Sequence, residues 1–219
     1  MSSALVLGST GLCGSAILKY AQASDSFSKV TTVTRRKVDG VDAGVEQIVE
    51  PDSANWSKTL PESQVVFSGI GTTRAAAGSF AEQYKIDHDL NLELAKAAKA
   101  NGATTYVLVS STGASASSFL PYLRMKGELD DAVKDLDFEK TIILRPGPLL
   151  GDRTKEFKGQ GEGTLRAIGT WLHRSAFQRL LSYPIYGDEV GKAAVKLATT
   201  LGPGYHIIDA KDLLAASDP

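Results

Sequence analysis

Two hydrophobic periods alternate along the chain. Short runs of apolar and β-branched residues predict strands over Ala4–Leu7, Val30–Thr34, Val45–Val49, Gln64–Ser68, Thr104–Ser110, Thr141–Leu144 and Tyr205–Ile208. Between them, apolar positions three and four apart predict helices over Leu12–Ala23, Ser79–Ala100, Tyr122–Leu136 and Asp188–Thr200. In the longest of these, Leu90, Leu94 and Ala98 share a face, and Gly102 is the stop signal. Strands separated by helices of this length imply βαβ units, a parallel sheet and right-handed crossovers. The expected architecture is therefore α/β, a doubly wound parallel sheet with helices on both faces. All 219 residues fit one domain. The least regular stretch, Gly151–Ser182, reads as an excursion over the top of the sheet, on the side where substrate loops sit.

Composition narrows the function classes. Hydrophobic residues make up 42% and charged residues 22%, with a net charge of −1. That balance provides no broad basic field for nucleic acid. A single cysteine, Cys13, rules out an internal disulfide, and His88, His173 and His206 lack ligand spacing, so no metal site is expected. The first residues carry neither a basic n-region nor an Arg-rich amphipathic pattern, which predicts no cleaved presequence. No apolar run approaches the ~20 residues that span a bilayer.

Chemistry enters where the first strand ends, in Gly8-Ser9-Thr10-Gly11-Leu12-Cys13-Gly14. A glycine-rich turn between a strand and a helix is the context of Rossmann-type dinucleotide sites. Gly8 permits the tight turn, Gly11 lets backbone approach a pyrophosphate, and Gly14 lets helix and strand pack closely. The helix N-terminus then faces the phosphates. At the end of the second strand an NAD site would carry an acidic residue. This chain has Arg35-Arg36-Lys37 there, and guanidinium groups match a 2′-phosphate, so NADP(H) is the expected cofactor.

A second constellation follows the strand Thr104–Ser110. Ser110 and Ser111 stand at its end, and Tyr122 and Lys126 form a YxxxK pair. Residues i and i+4 share a helical face. An ammonium beside a phenol lowers its pKa and offers a grip on ribose. The tyrosine then exchanges a proton with a carbonyl or alcohol oxygen. Strand alternation selects Ser111 over Ser110 to hold that oxygen.

These residues resemble the short-chain dehydrogenase/reductase pattern. Longer stretches, Thr72–Gly78, Gln83–Leu92, Leu144–Thr154, Phe177–Leu181 and Tyr183–Gly191, resemble the fungal family described as found in mitochondrial proteome. They are similar, more distantly, to the animal Tat-interacting oxidoreductase-like proteins. The resemblance covers nearly the whole chain. It implies an atypical Rossmann fold with an NADP(H) site and a peripheral place on the mitochondrial outer membrane. By position it implies Ser9, Thr10, Gly11 and Leu12 around the phosphates, and Arg35 and Arg36 at the 2′-phosphate. It also implies Ile70 and Gly71 at the adenosine end, and Pro146 and Leu149 near the nicotinamide. Pro121 departs from the pattern just before the tyrosine, and proline suits a first helical turn.

Other residues keep two readings. Asp87 either supports the site's backbone or sits on a solvated helix face. Cys13 is read as a packed, inert thiol, and Arg145 as an internal salt-bridge partner. Trp171, Phe177, Leu180 and Leu181 fit core, pocket or membrane contact, with His173, Arg174 and Arg179 as a basic face toward anionic lipid. The first functional expectation is an NADP(H)-dependent oxidoreductase of a small carbonyl or alcohol, using Ser111, Tyr122 and Lys126. Its rivals are an NADP(H)-binding, redox-sensing interaction module at the mitochondrial surface and an isomerase that keeps its nicotinamide. Substrate and oligomeric state are not encoded in these patterns.

Overall fold

The computed structural model describes residues 1–151, 173–175 and 178–218. Seven parallel strands form the main sheet: β1 (Ser2–Leu7), β2 (Phe27–Thr34), β3 (Val45–Val49), β4 (Val65–Ser68), β5 (Thr105–Val109), β6 (Lys140–Arg145) and, after a two-strand insertion, β9 (Gly204–Asp209). Their order is β3-β2-β1-β4-β5-β6-β9, so the order in which strands are added reverses between β1 and β4. Loops leaving the carboxyl ends of these neighbouring strands diverge, which opens a crevice there. The insertion pairs β7 (Leu149–Leu150) with β8 (Ile185–Tyr186) in a separate small sheet.

The central strands are apolar on both faces, as doubly covered parallel strands must be. On one face, Ala4, Val6, Phe67, Val107 and Ile142 meet α1 (Leu12–Gln22) and two later helices, α7 (Gly187–Thr200) and α8 (Ala210–Ala216). On the other, Leu5, Leu7, Val66, Tyr106 and Ile143 pack beneath α5 (Asn91–Ala100), α6 (Pro121–Lys134) and Trp56 of the short helix α2 (Trp56–Thr59). The doubly wound α/β fold expected from the alternating periods is therefore present.

Two further short helices, α3 (Arg74–Ala77) and α4 (Phe80–Tyr84), precede α5. The helix expected over Ser79–Ala100 is one path with a π-turn at Lys85–Leu90 between α4 and α5. Such turns are frequent at functional sites, and here the turn carries Asp87 to the site. α2, α3 and α8 were not expected; they are too short for a periodic signal. Most of the excursion Gly151–Ser182, including Trp171 and Phe177, lies outside the described residues.

Candidate functional site

The glycine turn is built by backbone contact. Gly8 has φ +78°, and a Cβ there would lie 2.6 Å from the Gly69 carbonyl carbon. A Cβ on Gly14 would lie 2.1 Å from the Gly8 oxygen. The ends of β1 and β4 and the start of α1 thus touch through glycines alone. The Gly11 N–H donates to the Gly8 oxygen at 2.9 Å and closes the turn. No side chain caps α1, whose N-cap is Gly11. Its first-turn N–H groups and positive dipole end therefore suit an anion held in the crevice.

Around this turn lies a cleft of about 250 Å³. Thr10, Gly11, Leu12 and Cys13 form one wall; Gly69, Ile70, Gly71 and Thr72 form the floor; Ser110, Tyr122, Lys126 and Leu149 close the other side. The expected residues divide accordingly. Gly8 and Gly14 shape the turn from behind. Ser9 is fully buried, and its hydroxyl hydrogen-bonds the Thr32 hydroxyl at 2.6 Å, so its side chain serves the β1–β2 junction. Pro146 is buried off the cleft wall, where its oxygen accepts the Thr112 N–H at 2.9 Å. Arg35 and Arg36 are exposed just past β2, outside the cleft lining. The Thr34 hydroxyl donates to the Arg36 oxygen at 2.7 Å and sets the bend that carries them.

The serine choice changes. Ser110, not Ser111, lines the cleft. β5 ends at Val109, and Ser110 continues the alternation of Tyr106 and Leu108, whose face lies under α5 and α6. Its N–H still donates to the Leu144 oxygen at 2.7 Å, which fixes that orientation. The Ser111 hydroxyl instead faces the Thr112 oxygen at 3.4 Å.

Pro121 is the first residue of α6, so Tyr122 stands in the helix's opening turn at the cleft mouth, 41% exposed. Four residues on, Lys126 is only 3% exposed and donates to the Val109 oxygen at 3.1 Å. Burial pushes this lysine below its ordinary pKa, while Asp87, Asp130 and Cys13 favour its charged form. Gly127 lets the Ser115–Ala116 backbone lie against α6; a Cβ there would sit 2.1 Å from the Ser115 carbonyl carbon.

Asp87 belongs to the site and not to a solvated face. It is buried in the π-turn, lines the cleft and accepts the Thr72 N–H at 2.6 Å. Burial raises its pKa, and Lys126 opposes the shift most. Asn91 was missed by sequence reasoning. Fully buried, it takes the Ser68 hydroxyl at 2.6 Å and donates to the Ile70, Ile86 and Asp87 oxygens at 3.3, 3.3 and 3.1 Å. It ties the end of β4 to the π-turn. Its only signal in the sequence was a polar residue next to Leu90 and Leu94 on the apolar face of the helix.

Away from the cleft, His173 pairs with Glu189 at 2.8 Å, and Arg174 bonds both Glu189 and Asp218. Two of the three basic side chains read as facing lipid are thus engaged within the chain. No helix among the described residues is long and apolar enough to cross a membrane. No group of metal-binding side chains occurs among them.

Comparison with known proteins agrees with this architecture. A short-chain dehydrogenase family protein from Francisella tularensis superposes with a TM-score of 0.70 at 13% identity, covering 97% of this chain and 98% of that one. MoeE5, solved in complex with UDP-glucose and NAD, superposes with a TM-score of 0.67 at 17% identity, covering 98% and 80%. In sequence, "Protein FMP52, mitochondrial" of Kluyveromyces lactis is 53% identical over 199 residues, 90% of this chain and 89% of that protein. The Saccharomyces cerevisiae protein of the same name is 50% identical over 220 residues, 97% and 95%. The family described as HIM1 matches residues 59–179. The chain therefore belongs to the HIM1 family and to the family of fungal proteins named "FMP52, mitochondrial".

Proposed function

We propose that this protein is an NADP(H)-dependent oxidoreductase of the short-chain dehydrogenase type, acting on a carbonyl or alcohol. The observation that carries the reading is one cleft shared by the glycine turn and by Ser110, Tyr122 and Lys126. The donor set suits a dinucleotide: backbone N–H groups at the start of α1 for phosphates, an ammonium for ribose, and guanidinium groups beyond β2 for a 2′-phosphate. The nicotinamide, when bound, supplies or accepts the hydride.

The chain's own residues manage the rest. Tyr122 gives a proton to the carbonyl oxygen, or takes one from the alcohol. Lys126 favours the phenolate electrostatically and holds ribose. Ser110 positions the reacting oxygen, the role that alternation had given to Ser111. Asp87 braces the Thr72 backbone at the floor. Relatives named mitochondrial support a mitochondrial place for this chain; peripheral attachment to the outer membrane extends that reading.

Tyr122→Phe tests the enzyme reading against the rival in which the protein binds NADP(H) without turnover. Reduction of a carbonyl panel by NADPH should fall by about 10²-fold or more. NADPH binding, followed by nicotinamide fluorescence, should stay within about twofold, a change of under 0.5 kcal/mol. Full activity in the variant contradicts Tyr122 as the acid.

A further inference from the structure

Behind the cleft wall lies a group of charges that the proposed chemistry does not use. Asp130 is one helical turn beyond Lys126 on α6 and has no exposed surface. Arg145, at the end of β6, donates to a single oxygen of it: Nε at 3.1 Å and a terminal nitrogen at 3.0 Å, both to Oδ2. The other oxygen, Oδ1, is buried without a hydrogen bond of ordinary geometry among the described residues, and so is the Ser110 hydroxyl. The two groups lie near enough that the Ser110 hydroxyl favours the charged carboxylate.

A buried carboxylate fully compensated by an arginine would use both oxygens in the fork that guanidinium offers. Here one oxygen is held and the other is buried without a partner of ordinary geometry among the described residues. Desolvating such a group without purpose is unfavourable, because an unmet buried acceptor costs about 1–3 kcal/mol. Its neighbours give it a purpose. Lys126 is buried too, and a buried ammonium needs carboxylates. Asp87 faces it from the π-turn and Asp130 from its own helix; Cys13 reaches it from α1. Asp130 in turn faces Arg145 from β6, Ser110 from the end of β5, Lys126 and, from β9, Tyr205.

We infer that Asp130 is a positioning residue of this site: clamped by Arg145 through one oxygen, it offers the other to the Ser110 hydroxyl and sets its negative charge one helical turn from Lys126, which keeps that ammonium in the cleft wall. This rests on the reading of Ser110 and Lys126 as site residues. It adds Asp130 and Arg145, which reach neither substrate nor cofactor, as the support behind them.

The test reads Lys126 directly. Lysine labelled with ¹³C at the ε position gives one resonance for Lys126, assigned by its loss in Lys126→Met, and its titration midpoint is measured without added nucleotide. In Asp130→Asn the midpoint should fall by about one pH unit or more. An unmoved midpoint in folded Asp130→Asn protein overturns the inference. Should Asn at 130 prevent folding, Arg145→Lys keeps the charge and loses the paired donors on Oδ2; the midpoint should move there as well, and an unmoved one overturns the inference equally. NADPH and NADH titrations of the unaltered protein separate this result from the proposed function. If neither binds while the midpoint moves, the positioning role stands and the nicotinamide reading fails.

Discussion

The two walls of the cleft are built on opposite principles. The glycine wall is made by backbones in contact, where Gly8, Gly14 and Gly69 bring three segments together because none carries a side chain. The α6 wall is made by side chains carrying charge: buried Lys126 and the facing Asp87 at the cleft, with Asp130 and the partly buried Arg145 behind them. The first wall is rigid by packing and tolerates no added atom. The second is held by charges that are unfavourable one by one and satisfied only together, and it therefore responds to pH and to the loss of any member.

The sharpest break in this contrast is Gly14→Ala. Its methyl would meet the Gly8 oxygen at 2.1 Å, backbone against backbone, with no flexible side chain to give way. A loss of about 3 kcal/mol or more in unfolding free energy is expected from denaturant titration. A loss below ~1 kcal/mol would mean that the turn is looser than its contacts imply.

Asn91→Ala comes next, because it acts where the two walls join. It removes the one amide group that donates to the Ile70, Ile86 and Asp87 oxygens, two of these contacts buried, and an acceptor from the Ser68 hydroxyl. About 2 kcal/mol of stability should go. Hydrogen exchange should rise first in the π-turn Lys85–Leu90, before the strands.

A third change touches neither wall. Replacing Arg35 and Arg36 by Ala should weaken NADPH by about ten- to a hundredfold, the worth of a charge-assisted contact. NADH should bind nearly as before. Equal weakening of both nucleotides would place the arginines in some role other than reading a 2′-phosphate.

The smallest effect sharpens the electrostatics of the α6 wall. Burial depresses the Lys126 pKa, so between its folded value and the ordinary lysine value the folded chain binds fewer protons than the unfolded one. Lysine's contribution to stability is fully present above the ordinary value and is lost as pH falls through the folded one. Cofactor affinity has the opposite sign, because the ammonium that grips ribose disappears as pH rises. Thermal unfolding and NADPH titration, followed as pH falls below the ordinary lysine value, should show these opposing slopes, and Lys126→Met should flatten both.

The two walls also differed in how far the sequence revealed them. A backbone wall leaves its mark in residue type, since only glycine fits, and the order strand, GxxGxxG, helix was readable at once. The charged wall depends on partners far apart in the chain. Tyr122 and Lys126 were visible because i and i+4 meet on a helix. Asp130 was not, because its partner Arg145 comes from β6. Ser110 displaced Ser111 because β5 stops at Val109 and the face was counted one residue too far. Asp87 could be placed only once the π-turn was known, since a regular helix leaves its direction undecided. The proposed reading of a 2′-phosphate comes from Arg35 and Arg36, just past β2 and outside the cleft lining.

The central claim is that the crevice between β1 and β4 receives a nicotinamide dinucleotide. Titrating NADPH with the folded protein and following nicotinamide fluorescence measures this most directly. Saturation at one nucleotide per chain and clear weakening in Lys126→Met are expected. An unchanged fluorescence with NADPH and with NADH, at protein concentrations into the millimolar range, would contradict it.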